Sequence, residues 1–254
     1  MNTIVFCDDA ELEPTATLSH RYNCGIEIQS FYNPELLRHT PDAVEQHRHA
    51  LESIPLRALH GPFADLCPGS FDPLVADVAR QRFQWACEIA QHLAVSHLVF
   101  HHGYVPGTSY PKNWILRSTT FWQEFLKIIP ETITVHLENL LEREPALLAD
   151  VLSAIDRPNI NVCLDIGHVH CHSPLPVITW IETLGSHIGY VHLHDNHGES
   201  DEHLGLGQGT IPLLEVCQAL QHYAPSAIWG IETAVSHMES SAQWLKEQGF
   251  LESS

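Results

Sequence analysis

The chain has 254 residues, enough to bury one large core, and we predict a single domain over residues 1–254. Its formal net charge is −19 and its pI is about 5.3, so its electrostatic field repels nucleic acid and anionic membranes. Lysine occurs only at Lys112, Lys127 and Lys246. None of these ends a predicted strand, which disfavours Schiff-base chemistry in an enclosed pocket.

The cysteines and the N-terminal segment indicate a cytoplasmic protein. The seven cysteines are an odd number without a CxxC pair, and several lie in apolar runs, as reduced thiols do. The first residues, MNTIVFCDDAELEP, carry acids where a signal peptide would carry basic residues. Apolar stretches fall short of the roughly 18 residues that a membrane span needs, so we expect no membrane partner.

Eight short, mostly apolar runs predict β-strands. Their lack of clean polar and apolar alternation is typical of strands that are covered on both faces. The runs occupy residues 3–6, 25–29, 56–60, 97–101, 134–138, 161–165, 188–194 and 228–232.

Segments with helical spacing lie between these runs. The clearest covers residues 71–93, where Val75, Val78, Trp85, Ile89 and Leu93 recur at three to four residue intervals with one longer step. Residues 114–129 and 213–220 show the same spacing more weakly. A strand followed by a helix, repeated about eight times, predicts an α/β fold of the (β/α)8 TIM-barrel type, with an open doubly wound sheet as the rival.

Metal-ligating residue types follow most of the predicted strands. Because the carboxyl ends of parallel barrel strands meet at one rim, we expect these side chains to form one cluster, which an open sheet would not gather. The nine candidate metal ligands are His60, His101, Glu138, Asp165, His168, His192, Asp201, His203 and Glu232.

The charges of this set predict bound cations. Four carboxylates beside five imidazoles in one concave pocket are unfavourable unless protons or cations compensate for them. We therefore predict two or three divalent ions, and a site that attracts anionic or polyhydroxylated small molecules. Mixed imidazole and carboxylate ligands favour zinc, and they also suit manganese, iron or cobalt.

Four further residues are candidates for contact with a substrate. His102 and His194 are neighbours of predicted ligands, and strand alternation turns His194 the same way as His192. Lys112 and Arg143 are the basic residues that this mouth offers to a phosphate.

Three other features allow two interpretations each. Glu27, near the end of the second strand, is either a pocket acid or half of a structural salt bridge. The GLGQG loop at residues 205–209 either binds phosphate or simply connects two elements. Residues 104–114 form either an aromatic lid over a sugar ring or an exposed loop anchored by its rings.

Several motifs together resemble the xylose isomerase-like TIM-barrel superfamily, which includes sugar epimerases, inosose-processing enzymes and endonuclease IV. The motifs are LEN at 137–139, LDIGH at 164–168, VHLHD at 191–195 and GLGQG at 205–209. The resemblance extends from GIEIQ at residue 25 to IET at 231–233.

The resemblance implies two ligand patterns. Single-metal epimerases of the superfamily use the residues that match Glu138, Asp165, His192 and Glu232, and the two glutamates act as acid and base. Endonuclease IV adds the five that match His60, His101, His168, Asp201 and His203, and it binds three zinc ions. In that pattern Glu138 bridges the first two ions, His60 and His101 complete the first, Asp165, His192 and Glu232 the second, and His168, Asp201 and His203 the third.

The resemblance favours an enzyme that isomerises or epimerises a small sugar, sugar acid or sugar phosphate, with Glu138 and Glu232 as catalytic residues. The alternative is an endonuclease IV-like hydrolase of phosphoesters. A small phosphoester is then favoured over abasic DNA, because the loop at residues 30–34 is short and lacks basic residues. A metal-storing or structural protein would not need paired carboxylates.

Overall fold

Eight parallel strands hydrogen-bond in chain order and close into a barrel, with β8 pairing β1. The computed structural model describes residues 2–38 and 40–252, so four residues of the predicted domain lie outside the described ones. The strands are β1 Thr3–Cys7, β2 Gly25–Ile28, β3 Arg57–His60, β4 His97–His101, β5 Thr134–Glu138, β6 Ile160–Asp165, β7 Ile188–Leu193 and β8 Ile228–Ile231. The prediction of a TIM barrel is confirmed, the open sheet is wrong, and each strand bound lies within one residue of its expected place.

Helices follow the strands and cover the outside of the barrel. They are α1 Leu12–Tyr22, α2 Thr40–Ala50, α3 Pro73–His92, α4 Pro111–Phe125, α5 Ala146–Ile155, α6 Ile166–His172, α7 Val177–Leu184, α8 Leu213–Tyr223 and α9 Val235–Glu247. Short 3₁₀ turns occupy Ser30–Tyr32, Pro34–Arg38 and Gly185–His187. In the described part of the chain, no helix combines the length and the apolar character that a bilayer crossing requires.

Helix α3 shows how local sequence sets an element. Asp72 caps it by accepting a hydrogen bond from the backbone N–H of Leu74, and Pro73 occupies the first turn, where a missing N–H is tolerated. The expected apolar face is partly wrong, because Val75 and Val78 are 38% and 47% exposed. The buried face runs from Ala79 to Ala90, so it lies mostly in the later turns of the helix.

Strand alternation divides the apolar residues into two sets. Outward-facing side chains pack between the barrel and the helices in one large cluster. The smaller inner set comprises Val5, Ala58, Val99, Cys163, Tyr190 and Ile228. Further along the same strands the inward positions are occupied by His and carboxylate side chains, and neighbouring strands pair His101 with Glu138 and Asp165 with His192. The registers therefore place the predicted ligands at the C-terminal rim.

Candidate metal centre at the barrel mouth

The structure brings all nine predicted ligands to the C-terminal rim. A cavity of about 480 Å³ opens there, and seven of the nine line it. Asp165 and His192 lie just inside, with 0% exposure, and each contacts one or more of the other seven. The nine side chains form three groups.

The first group is His60, His101 and Glu138. His60 Nε2 lies 2.9 Å and His101 Nε2 3.4 Å from Glu138 Oε2. The Nδ1–H of His60 can donate to the carbonyl oxygen of Gly61 at 2.8 Å, which turns Nε2 toward the carboxylate. One donor atom from each residue lies within 4.8 Å of the other two, close enough to share one ion.

The second group surrounds a single nitrogen atom. His192 Nδ1 lies 3.3 Å from Glu138 Oε1, 3.2 Å from Glu232 Oε2 and 3.8 Å from Asp165 Oδ2. The backbone of Asp165 is held by Asn139, whose side chain accepts from its N–H and donates to its carbonyl, both at 3.0 Å. The Asp165 carboxylate also accepts from the N–H of His168 and so caps α6.

The third group is His168, Asp201 and His203. Asp201 Oδ2 lies 3.2 Å from His168 Nε2 and 3.0 Å from His203 Nε2. His203 adopts a left-handed backbone conformation with φ of 48°, which is uncommon outside glycine. Its Nδ1 lies 2.9 Å from the backbone carbonyl of Glu232, and this contact joins the β7–α8 loop to the end of β8.

The two glutamates in these groups differ electrostatically. Burial would raise the pKa of Glu138, but the surrounding imidazoles, led by His101 and His192, outweigh it and hold that pKa well below its usual value. Burial raises the pKa of Glu232, and His192 and His203 only partly offset the rise. Glu138 is therefore readily ionised, whereas Glu232 holds a proton more tightly than an ordinary glutamate.

The chemistry of the donors fits a divalent ion. Imidazole nitrogens and carboxylate oxygens are the ligands of zinc and of several neighbouring transition metals. Among the described residues, no hydrogen bond satisfies Glu232 Oε2, although that atom is buried beside the imidazoles of His192 and His203. The buried clusters of His, Glu and Asp are thus close enough to hold metal ions.

Three of the four expected substrate contacts lie elsewhere. His102 is fully buried, with Nδ1 2.8 Å from Glu142 Oε1 and Nε2 3.2 Å from Trp114 Nε1. Lys112 and Arg143 are exposed near the start of α4 and before α5. The described residues that line the mouth cavity include none of these three.

His194 does join the cluster. Its Nε2 lies 3.1 Å from Asp165 Oδ1, and its ring stacks on that of His203 with centroids 4.1 Å apart. It is fully buried, and with His203 and Glu232 it forms another group of donor atoms within 4.8 Å of one another.

Glu27 in β2 and Gln29 just after that strand contact the proposed ligands. The sequence left the role of Glu27 open and gave no role to Gln29. Glu27 is fully buried, and its Oε2 lies 3.2 Å from His192 Nε2. Gln29 donates from Nε2 to Glu232 Oε1 at 2.6 Å and to Glu27 Oε1 at 3.3 Å. Alternation along β2 was the available signal, because it turns Glu27 to the side opposite Ile26 and Ile28.

Aromatic rings form one wall of the cavity. Tyr32 stacks on Phe63, and Phe63 stacks on His101, with centroids 5.5 and 4.7 Å apart. The proposed lid is not part of this wall, since Trp114 is buried against Tyr104 and His102 while Tyr110 is 80% exposed. Residues 104–114 thus match the interpretation as a loop anchored by its rings.

The backbone N–H groups of the GLGQG loop already bind a side chain of the protein. Asp195 is fully buried, and its carboxylate accepts hydrogen bonds from the backbone N–H groups of Gly207, Gly209 and Ile211 at 2.9–3.2 Å. A Cβ at Gly209 would lie 2.4 Å from that carboxylate and from the Asn196 carbonyl, so the close approach requires glycine. These N–H groups are already paired, and the loop serves to connect β7 with α8.

The protein is a TIM barrel that carries, at its C-terminal rim, a cluster of His, Glu and Asp side chains close enough together to hold metal ions. The chain belongs to the xylose isomerase-like TIM-barrel family, whose profile matches residues 25–254. Uncharacterized protein MJ1311 of Methanocaldococcus jannaschii is 30% identical over 200 residues, which are 74% of this chain and 68% of that protein.

Solved structures show the same fold. The TTHB071 protein from Thermus thermophilus, soaked with ZnCl2, is 23% identical with a TM-score of 0.78, and the match covers 97% of each chain. A D-tagatose 3-epimerase-like protein is 24% identical with a TM-score of 0.76, over 97% of this chain and 96% of that one.

Proposed function

We propose that the protein is a metal-dependent isomerase or epimerase of a small carbohydrate. One observation carries the proposal. Glu138 and Glu232 reach the same His192 Nδ1 from different strands, at 3.3 and 3.2 Å, at the cavity where a substrate would bind. Two carboxylates at one cavity can divide the removal and the return of a proton at a substrate carbon between them.

The residues that would hold the catalytic ion are Glu138, Asp165, His192 and Glu232. When bound, the ion supplies Lewis-acid polarisation of a sugar carbonyl. Glu138 lines the cavity as a carboxylate, and in this proposal it accepts a proton from the adjacent carbon. Glu232, whose pKa is raised by burial, is suited to deliver one, and Gln29 holds its Oε1 in place.

The cavity favours an uncharged sugar over a phosphorylated one. Among the described residues, those lining it include no Lys or Arg that would pair with a phosphate. The stacked rings of Tyr32, Phe63 and His101 offer an apolar wall of the kind on which the C–H face of a sugar packs. The likeness to a D-tagatose 3-epimerase-like protein supports a ketose as the first substrate to try.

A second candidate is a phosphoester hydrolase with several metal ions, which the surroundings of Glu138 favour. Both of its carboxylate oxygens are engaged, Oε2 by His60 and His101 and Oε1 by His168 and His192. A carboxylate between two groups of imidazoles has the arrangement of a bridging ligand. Nucleic acid is disfavoured as the substrate because the net charge is −19.

One experiment separates the two candidates. Purified protein is assayed for bound metal, for exchange of a substrate C–H with heavy water, and for phosphate release, against ketoses, sugar phosphates and phosphate esters. Exchange at carbon supports the epimerase. Three bound ions with phosphate release and no exchange support the hydrolase and overturn the epimerase.

The matched variants are Glu232→Gln and Glu142→Gln. We expect Glu232→Gln to slow exchange by about 10²–10⁴-fold, because it removes one of the two proton carriers. Glu142→Gln alters a buried glutamate that contacts His102 rather than the cluster, and it should leave exchange unchanged. Equal rates for Glu232→Gln and the unaltered protein would contradict the assigned role.

A further inference from the structure

We propose that Glu27 is a positioning residue that orients His192, so that Nδ1 rather than Nε2 serves as its metal-ligating atom. The inference rests on the proposed metal site. It adds to that site a residue on β2, a strand that does not pair with β7, which carries His192.

The first argument is the geometry of the His192 ring. Its Nδ1 faces three carboxylates, while its Nε2 lies 3.2 Å from Glu27 Oε2. In a neutral imidazole one nitrogen carries the proton and the other has the free lone pair. An N–H donated to Glu27 therefore leaves the lone pair on Nδ1, where the carboxylates converge.

The second argument is that, among the described residues, Glu27 is the carboxylate that pairs with His192 Nε2. The fully buried side chains of Tyr190, Cys7 and Cys163 lie beside the His192 ring. Neutral thiols are weak acceptors. Removing the Glu27 carboxylate would leave the His192 N–H without an equivalent partner.

The third argument is that Glu27 contacts the proposed ligands but does not face the cavity. It is fully buried, and among the described residues the lining of the mouth cavity does not include it. Its Oε1 accepts from Gln29, which also donates to Glu232, so one carboxylate contacts the ligand His192 directly and the ligand Glu232 through Gln29. Carboxylates that accept the second N–H of a metal-bound histidine typically contribute 10–100-fold to metal affinity.

The test compares Glu27→Gln with Glu142→Gln. Each replaces a buried glutamate that contacts one imidazole, His192 or His102, and only the first of these belongs to the cluster. Zinc affinity is measured by competition with a chelator, and unfolding of the metal-free proteins by urea is measured in parallel.

We expect Glu27→Gln to weaken zinc binding about 10–100-fold and Glu142→Gln to leave it within a factor of about three. Unchanged affinity in Glu27→Gln would overturn the proposal. So would an equal loss in both variants, because that result would reflect destabilisation in general.

A second readout does not depend on any variant folding. In the unaltered protein loaded with cadmium-113, coupling between the metal and ¹⁵N-labelled imidazole identifies the ligating nitrogen of His192. Coupling to Nδ1, with a slowly exchanging proton on Nε2, is the expected result, and coupling to Nε2 would overturn the inference. Failure of the unaltered protein to bind either metal would instead refute the proposed function, so the two failures are distinguishable.

Discussion

Two sets of carboxylates at the barrel rim have different partners. The inner carboxylates, Glu138, Asp165 and Glu232, face imidazole nitrogens across the cavity. The outer carboxylates, Asp8, Glu142 and Asp195, accept hydrogen bonds from backbone N–H groups in the surrounding loops. Asp8 accepts from Ala10 and Gln29, Glu142 from Leu140, and Asp195 from four N–H groups.

The contrast shows what distinguishes a candidate metal site from a structural pair. Glu142 Oε1 and His102 Nδ1 are 2.8 Å apart and buried. The N–H of Leu140 donates to Glu142 and the indole N–H of Trp114 donates to His102, so hydrogen bonds within the protein satisfy both side chains. The inner set instead places several carboxylates around one nitrogen, which is favourable only with added positive charge. The outer carboxylates hold the loops, whereas the inner ones lie close enough to the imidazoles to share a cation with them.

The largest expected effect is the stabilisation of the inner set by metal. Zinc at about 1,000 times its dissociation constant should stabilise the fold by roughly 4 kcal/mol, because it binds only the folded cluster. For a domain of this size that shift corresponds to a rise of roughly 10 °C in Tm. Thermal unfolding with zinc and then with excess chelator measures it, and an identical Tm in both conditions would argue against a metal centre.

The second largest expected effect comes from the substitution of an outer carboxylate. Asp195→Asn should destabilise the metal-free protein by about 3 kcal/mol, because an amide NH₂ would face the N–H groups of Gly207 and Gly209. Urea unfolding of the metal-free variant measures the change. A loss below about 0.5 kcal/mol would mean that the loop does not depend on this carboxylate.

The smallest effect depends on pH. Burial raises the pKa of Asp8 from 3.8 to about 6, so the folded state binds this proton more tightly than the unfolded state does. Stability from this group is complete below pH 3.8 and is lost as the pH rises through about 6. Asp8→Asn should abolish that loss, which amounts to about 2 kcal/mol between roughly pH 4.5 and 7.

The measurement is the difference in free energy of unfolding between the metal-free variant and the metal-free parent at both pH values. Because the inner groups are common to both proteins, their titration cancels in the comparison. A difference that stays constant between the two pH values would contradict the raised pKa.

Most of the barrel was predictable because each strand is a short apolar run that ends at a polar residue. That pattern placed β4 and β5 at their observed bounds, and the other strand bounds within one residue. The buried face of α3 was less predictable. Val75 and Val78 recur at the expected interval and are nevertheless exposed, so periodicity alone did not identify which turns are buried.

The sequence predicted which residues gather at the mouth better than which ones lie beside it. His101 and His102 are adjacent, and alternation turns them to opposite sides of the sheet, so His102 meets Trp114 and Glu142 instead of the cavity. Lys112 and Arg143 lie outside the lining of the mouth cavity, and the predicted contact of these residues with a substrate stays a prediction. The bond between Asp195 and the N–H groups of 207–211 is non-local and has no sequence signature.

The backbone of His203 has a consequence for engineering. With φ at 48°, this position suits glycine better than histidine. A selection that rewards only heat resistance would therefore favour replacing it, and each survivor would lack an imidazole that contacts Asp201. Mutant libraries that are selected for thermal stability should keep His203 unchanged, because stability gained at this position removes a candidate metal ligand.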